Sequence, residues 1–176
     1  MKLLTEIYRD KNVNKDGKAV TRNAVRGIIF DQNNLLMIFS EKKGDYKFPG
    51  GGVLGNEYFE DALIREVREE SGAEIEQIET SIGKVVEYSI PIEEDFEVFM
   101  MTSHYYLCQI GEQFVEQQLD EYEEELGFVP IWISVDEALR TNRALLCGDS
   151  RDVPRWIPRE TFVLEYIKKE LLGEKR

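Results

Sequence analysis

The stretch from Gly51 to Ala73, GGVLGNEYFEDALIREVREESGA, constrains this chain more than any other. Neither Gly nor Pro occurs between Gly55 and Gly72, so the middle reads as one helix. Asn56 suits the N-cap, Glu57 and Glu60 suit a positive helix N-terminus, and Gly72 suits the position just past the C-terminus. At about 3.6 residues per turn, Phe59, Ala62, Leu63, Glu66 and Glu70 share one face, with Glu69 at its edge. The apolar part of that face must pack on something, and it draws the three carboxylates toward the body of the protein. Like charges at these spacings repel, and burying them unneutralised is costly. A cluster of hard oxygens suits a divalent cation such as Mg²⁺. Arg65, flanked by Asp61 and Glu69 four residues away on either side, is placed to fix the geometry of the cluster. The competing reading is a solvated helix laced with ion pairs. Against it stand the shared face with Phe59 and Leu63, and the preceding Phe48-Pro49-Gly50-Gly51-Gly52, which suggests backbone that bends sharply and approaches a ligand.

The spacing Gly51-x5-Glu57-x7-Arg65-Glu66-Val67-x-Glu69-Glu70-x-Gly72-Ala73 resembles the box of the Nudix (MutT-like) pyrophosphohydrolases. Every fixed position matches, and Ala73 stands where a larger aliphatic is usual. The resemblance implies an α+β fold, a Nudix-type α/β/α sandwich with a central mixed β-sheet. It implies metal-dependent hydrolysis of a pyrophosphate bond in a nucleoside diphosphate linked to another group, with Mg²⁺ or Mn²⁺ as cofactor. Carried over by position, Glu66, Glu69 and Glu70 are the metal ligands, with the Gly51 carbonyl completing the shell. Glu57 and Arg65 are orienting residues of the catalytic set. The general base is either Glu66 or a Glu from a later loop. That loop, 111–126, offers Glu112, Glu116, Glu121, Glu123, Glu124 and Glu125, and distance from Trp132 favours Glu124 or Glu125. Arg22, Arg26 and Lys47 flank the strands that lead into the glycines and are candidates to meet phosphates, with Phe48 beside them. Solvated bases on a strand edge are the alternative.

A length of 176 residues predicts a single Nudix domain over 1–176, with enough chain for a sizeable core. Within it, 1–23 reads as a polar lead-in, 51–73 as the box and 158–172 as a C-terminal helix. A net charge of −13 argues against nucleic acid and anionic membrane as partners. It leaves a phosphate substrate open, because a bound metal locally reverses the sign. Cys108 and Cys147 make neither a metal nor a disulfide pattern, so a reduced, cytoplasmic compartment is expected. No apolar run reaches signal-peptide or transmembrane length. A homodimer is only a class-level expectation.

Along the chain, Leu3, Leu4, Ile7 and Tyr8 are placed to cover an edge, and Asn14–Gly17 reads as a turn. The runs 24–30 and 35–40 form a hairpin, with Gly27 marking close backbone approach. Tyr46–Phe48 is a short strand. Strands are expected over 73–79 and 82–90, broken near Gly83, then over 98–110 and 128–135. Residues 111–126 read as a solvated loop or short helix. Ser134-x-x-Glu137 opens a short helix through Arg140, and 141–157 is an irregular crossing. The last helix takes Phe162, Val163, Tyr166, Ile167 and Leu171 as its apolar stripe. His104 is assigned no role. Two other functions compete with hydrolysis: a catalytically silent nucleotide-sensing domain, disfavoured because all three box carboxylates are present, and an accidental acidic helix, which predicts no metal affinity.

Overall fold

The computed structural model describes residues 1–148 and 153–173. Seven strands form one mixed sheet. They are β1 (Leu3–Tyr8), β2 (Ala19–Asp31), β3 (Asn34–Ser40), β4 (Asp45–Lys47), β5 (Ala73–Ser89), β6 (Val98–Phe114) and β7 (Phe128–Ser134). The order is β1-β5-β6-β2-β3-β4, with β7 paired to β3. β1 runs parallel to β5 and β2 parallel to β6, while the other pairs are antiparallel. The helices are α1 (Phe59–Ser71), α2 (Glu121–Leu126), α3 (Val135–Cys147) and α4 (Ile157–Tyr166), the last continuing as a π-helical turn over Ile167–Leu171.

Period-two alternation assigns each face of the sheet its own helical layer. Val25, Ile29, Leu36, Tyr106 and Cys108 pack against Ala62, Leu63 and Val67 of α1. Ile28, Leu35, Met37, Val85 and Tyr105 face the other way, onto Val135, Ala138 and Leu139 of α3 and Val163, Leu164 and Ile167 of α4 or its continuation. Each fully buried aliphatic contributes about 1.5–3 kcal/mol. Gly27 lets α1 approach β2: a Cβ there would lie 3.1 Å from Val67 Cγ2. The expected sandwich and its mixed sheet are what the chain forms.

Several boundaries differ from the sequence reading. The polar lead-in holds a strand, because Leu4 and Ile7 of β1 reach the core while Leu3 and Tyr8 stay exposed. β2 begins at Ala19, where it pairs with Val98. α1 starts at Phe59 rather than after Asn56. The Glu57 N–H donates to the Leu54 carbonyl (2.8 Å) and the Leu54 N–H to the Glu57 carboxylate (3.1 Å), which ties Asn56 into a turn. β5 runs through Gly83 unbroken, absorbing the irregularity as a register shift between Ser81 and Gly83. β6 continues to Phe114. α3 runs past Arg140 to Cys147. Its buried Asn142 accepts from Tyr46 N–H (3.0 Å) and donates to the Tyr46 carbonyl (2.8 Å), docking the helix on β4. Of the expected crossing, 149–152 lie outside the described residues. The buried stripe of the last helix includes Ile157, Arg159, Glu160, Val163, Leu164 and Ile167, whereas Leu171 is exposed.

Candidate active site

The glycine loop is laid along the start of β2. Val25 N–H donates to the Gly51 carbonyl (2.9 Å), Gly27 N–H to the Pro49 carbonyl (2.9 Å) and Val53 N–H to the Asn23 carbonyl (3.0 Å). Two of the glycines are required by contact. A Cβ at Gly50, whose φ is +132°, would lie 2.2 Å from the Val25 carbonyl oxygen, and one at Gly51 would lie 2.1 Å from Glu66 Oε2. The bare backbone is what lets the Glu66 carboxylate sit against the loop.

Arg65 joins the acids of the box. Its Nε and Nη2 fork onto Glu57 (both 2.9 Å), Nη1 reaches Glu66 Oε1 (2.7 Å) and Glu69 Oε2 (3.0 Å), and Nη2 also donates to the Gly52 carbonyl (3.1 Å). Asp61 is not among these partners. Hydrogen bonding from Arg65 lowers the Glu57 pKa, while burial raises that of Glu66, opposed chiefly by Arg65. Glu70 is buried at 1% exposure. One of its oxygens takes the Lys47 ammonium and the other the Gly50 N–H (2.8 Å).

The chain following β6 is pinned over the C-terminal end of α1. Val115 N–H donates to the Gly72 carbonyl (2.8 Å), Gln118 N–H to the Glu69 carbonyl (2.8 Å) and Gln117 Nε2 to the Glu70 carbonyl (2.5 Å). This carries α2 over the box. Asp120 and Glu123 cap the helix reciprocally (2.8 and 3.0 Å). Burial and the nearby Glu70 charge push the Glu123 carboxyl up to about 7.

These elements enclose a groove of about 400 Å³. The glycine loop, Glu66 and Glu70 line one wall; Arg22, Ala24 and Arg26 of β2 line the floor; Asp120, Tyr122 and Glu123 stand over it; and Trp156 and Arg159 close the α4 side. Lys47, Met101 and Phe128 complete the lining, the Lys47 ammonium lying 4.5 Å from the Phe128 ring centroid. A wider hollow of about 620 Å³ beside Ile64, Arg68 and Glu74 contains none of the box acids.

The structure thus brings together Gly51, Glu66, Glu70, Arg26 and Lys47, with Glu57, Arg65 and Glu69 tied to the same cluster. Phe48 lies beneath, buried edge-on against Tyr105 at 5.7 Å between ring centroids. Glu124 and Glu125 are not brought in. Both are exposed, and Glu125 lines a separate shallow depression with Asp120, Glu121 and Tyr122. Glu123 is the loop acid at the groove. Asp120-x-x-Glu123 is a readable capping box, and Glu123 shares a face with Leu126, the buried residue of α2. His104 lies outside the groove lining, with Nε2 3.1 Å from Asn23 Oδ1 and its ring on Phe59.

Arg159 and Glu160 carried no sequence assignment. Arg159 donates to Glu87 Oε2 (2.7 Å) and twice to Glu160 Oε1 (3.0 and 2.5 Å). Glu160 Oε2 accepts the Phe48 N–H (3.1 Å), just before the glycine loop. Their signal was placement: Arg159 and Glu160 lie one turn before Val163 and Leu164, on the apolar face.

Among the described residues, no three His, Cys, Asp or Glu side chains are gathered closely enough to hold a metal ion. The donor chemistry nevertheless fits a hard divalent cation, since Glu66 and Glu70 present carboxylate groups to the groove and Arg65 holds Glu69 beside them. In this structure Arg65 and Lys47 engage those oxygens, and the Gly51 carbonyl accepts the Val25 N–H.

The sequence profile of the NUDIX domain matches residues 20–157, and the chain belongs to that family. Among solved structures, it is similar to a NUDIX hydrolase from Nitrosomonas europaea, with 17% identity, a TM-score of 0.57 and coverage of 89% of this chain and 92% of that one. It is also similar to a MutT NUDIX hydrolase from Burkholderia pseudomallei, with 20% identity, a TM-score of 0.51 and coverage of 83% and 97%. No curated protein matches the chain.

Proposed function

We propose that this protein is a metal-dependent pyrophosphohydrolase that cleaves a nucleoside diphosphate linked to another group. One observation carries the reading: Arg65 gathers Glu57, Glu66 and Glu69 beside a glycine loop that also seats Glu70, at one end of a groove whose floor is basic. Glu66, Glu69 and Glu70 would hold Mg²⁺ or Mn²⁺. When bound, the ion supplies charge neutralisation at the phosphoryl oxygens and a lowered pKa for a water. The residues of the chain do the rest. Arg65 holds the carboxylates in register, and the bare Gly50 and Gly51 let the loop pack against β2 and the Glu66 carboxylate. Glu123, whose carboxyl sits near neutrality, accepts the proton of the attacking water in place of the exposed Glu124 and Glu125. The substrate is a small nucleotide-type diphosphate in a cytoplasmic setting.

The test is phosphate-linked product release with Mg²⁺ or Mn²⁺ across deoxynucleoside triphosphates, ADP-ribose, dinucleoside polyphosphates and nucleotide sugars. Cleavage of one class is expected to fall at least a hundredfold in Glu66→Gln and Glu70→Gln. No turnover, combined with metal-dependent thermal stabilisation by one nucleotide, would replace this reading with a sensing domain.

A further inference from the structure

We propose that Arg22 and Arg26 form a metal-independent phosphate-binding subsite on the floor of the groove, across from Glu66 and Glu70. The proposal rests on the pyrophosphohydrolase reading for the identity of the ligand as a phosphoryl group of the substrate. Its basis is a buried guanidinium with unsatisfied donors. Arg26 is 7% exposed, and its Nε and Nη1 are buried without a hydrogen-bond partner among the described residues. Burying a guanidinium with unpaired donors is costly, and an orphaned buried donor beside a groove asks for a ligand that completes it.

The other cations around the groove are already answered. Arg159 has Glu87 and Glu160, Lys47 has Glu70, and Arg65 has Glu57, Glu66 and Glu69. Glu66 lies near Arg26, but its Oε1 is taken by Arg65. Arg22 stands four residues before Arg26 on the same face of β2. Between them is Ala24, the smallest side chain that keeps the strand regular, so the floor separating the two guanidinium groups stays open. Arg22 is exposed yet folded against the glycine loop: a Cβ at Gly52 would lie 2.7 Å from its Nη2. The bare Gly52 provides the space this arginine occupies. Among the described residues no carboxylate is hydrogen-bonded to either guanidinium, and two such planar forks suit a phosphoryl dianion. The groove is therefore bipolar, with acids for metal on one wall and free guanidinium groups on the floor.

The experiment titrates the chelator-treated full chain with orthophosphate and with pyrophosphate by calorimetry at low salt. Saturable binding is expected in the wild type. Arg26→Gln is expected to weaken it at least tenfold. Gly52→Ala meets only the far end of the Arg22 side chain at a position without positive φ. It is expected to fold normally and weaken binding severalfold. Absence of phosphate binding by the metal-free wild type, or wild-type affinity in Gly52→Ala and in a folded Arg26→Gln, would overturn the subsite. If Arg26→Gln does not fold, Gly52→Ala decides. Turnover of the same preparations with metal separates the two readings. Turnover without metal-free phosphate binding removes the subsite and leaves the hydrolase. Binding without turnover does the reverse.

Discussion

Glu123 titrates far from an ordinary glutamate, about 7 against 4.5, because burial and the Glu70 carboxylate both disfavour its charge. The unfolded chain releases this proton near 4.5 while the folded chain keeps it to about 7. The unfolded state therefore binds fewer protons in that window, and the contribution of Glu123 to stability falls as pH rises through it. Glu123→Gln cannot ionise and keeps an oxygen for the Asp120 N–H. Melting of the metal-free proteins is expected to show no advantage for the variant at pH 4 and a higher melting temperature than wild type at pH 8. A constant gap at both pH values would contradict the assignment. The family resemblance leaves the base open between Glu66 and a Glu of 111–126, and distance from Trp132, which favours Glu124 or Glu125, does not report which side of α2 faces the groove. The phase of α2 decides which acid faces the box, and the buried residue that marks that phase is Leu126. The box acids were legible because their partners lie within one helix and the loop before it.

At the scale of elements, α1 ends where its sequence says it should. Gly72 is left-handed at φ +74°, and its N–H donates to the Arg68 carbonyl at 2.9 Å. The same glycine is also where the next segment crosses, since a Cβ would lie 2.2 Å from the Val115 carbonyl oxygen. Gly72→Ala therefore combines left-handed strain, about 1–3 kcal/mol, with displacement of the strap that carries α2. Thermal melting is expected to fall by several degrees, at about 2–4 °C per kcal/mol for a chain of this size. Wild-type melting would show that the strap is not held at Gly72. Elements with strong local patterns, α1 and the β2–β3 hairpin, could be read directly. β1 could not, because a short strand with half its residues exposed and none fully buried looks like polar lead-in until β5 is there to pair with it. α3 was cut short because its inward Asn142 reads as a surface residue.

For the whole molecule, buried charge joins the end of β1, β5 and α4 to the entrance of the glycine loop. Glu87, 1% exposed, accepts from Arg9 (2.9 and 2.5 Å) and from Arg159, which leads through Glu160 to the Phe48 N–H. Such a network is not stabilising relative to apolar packing, but breaking it leaves unpaired buried charge. Glu87→Gln is expected to cost about 3–5 kcal/mol, a large part of the roughly 5–15 kcal/mol that holds a domain folded. Urea unfolding measures it, and a loss under 1 kcal/mol would show the network to be loosely held. No sequence pattern pairs Arg9, Glu87 and Arg159, because each contact spans more than seventy residues.

That separation also sets an order in time during synthesis. Arg9 and Arg159 lie on either side of the segment matched as the NUDIX domain, 20–157, and they meet on one carboxylate inside it. Glu87 follows Arg9 by 78 positions, and Arg159 follows Glu87 by 72. At roughly 5–20 residues per second on the ribosome, each interval lasts about 4–16 s. Through the second interval the nascent chain carries Glu87 with only one of its two arginines, and Phe48 without the acceptor that holds the entrance to the glycine loop. The box can be complete as sequence well before the residues that close the α4 side of the groove have been made, so the groove is one of the last features of the protein to close.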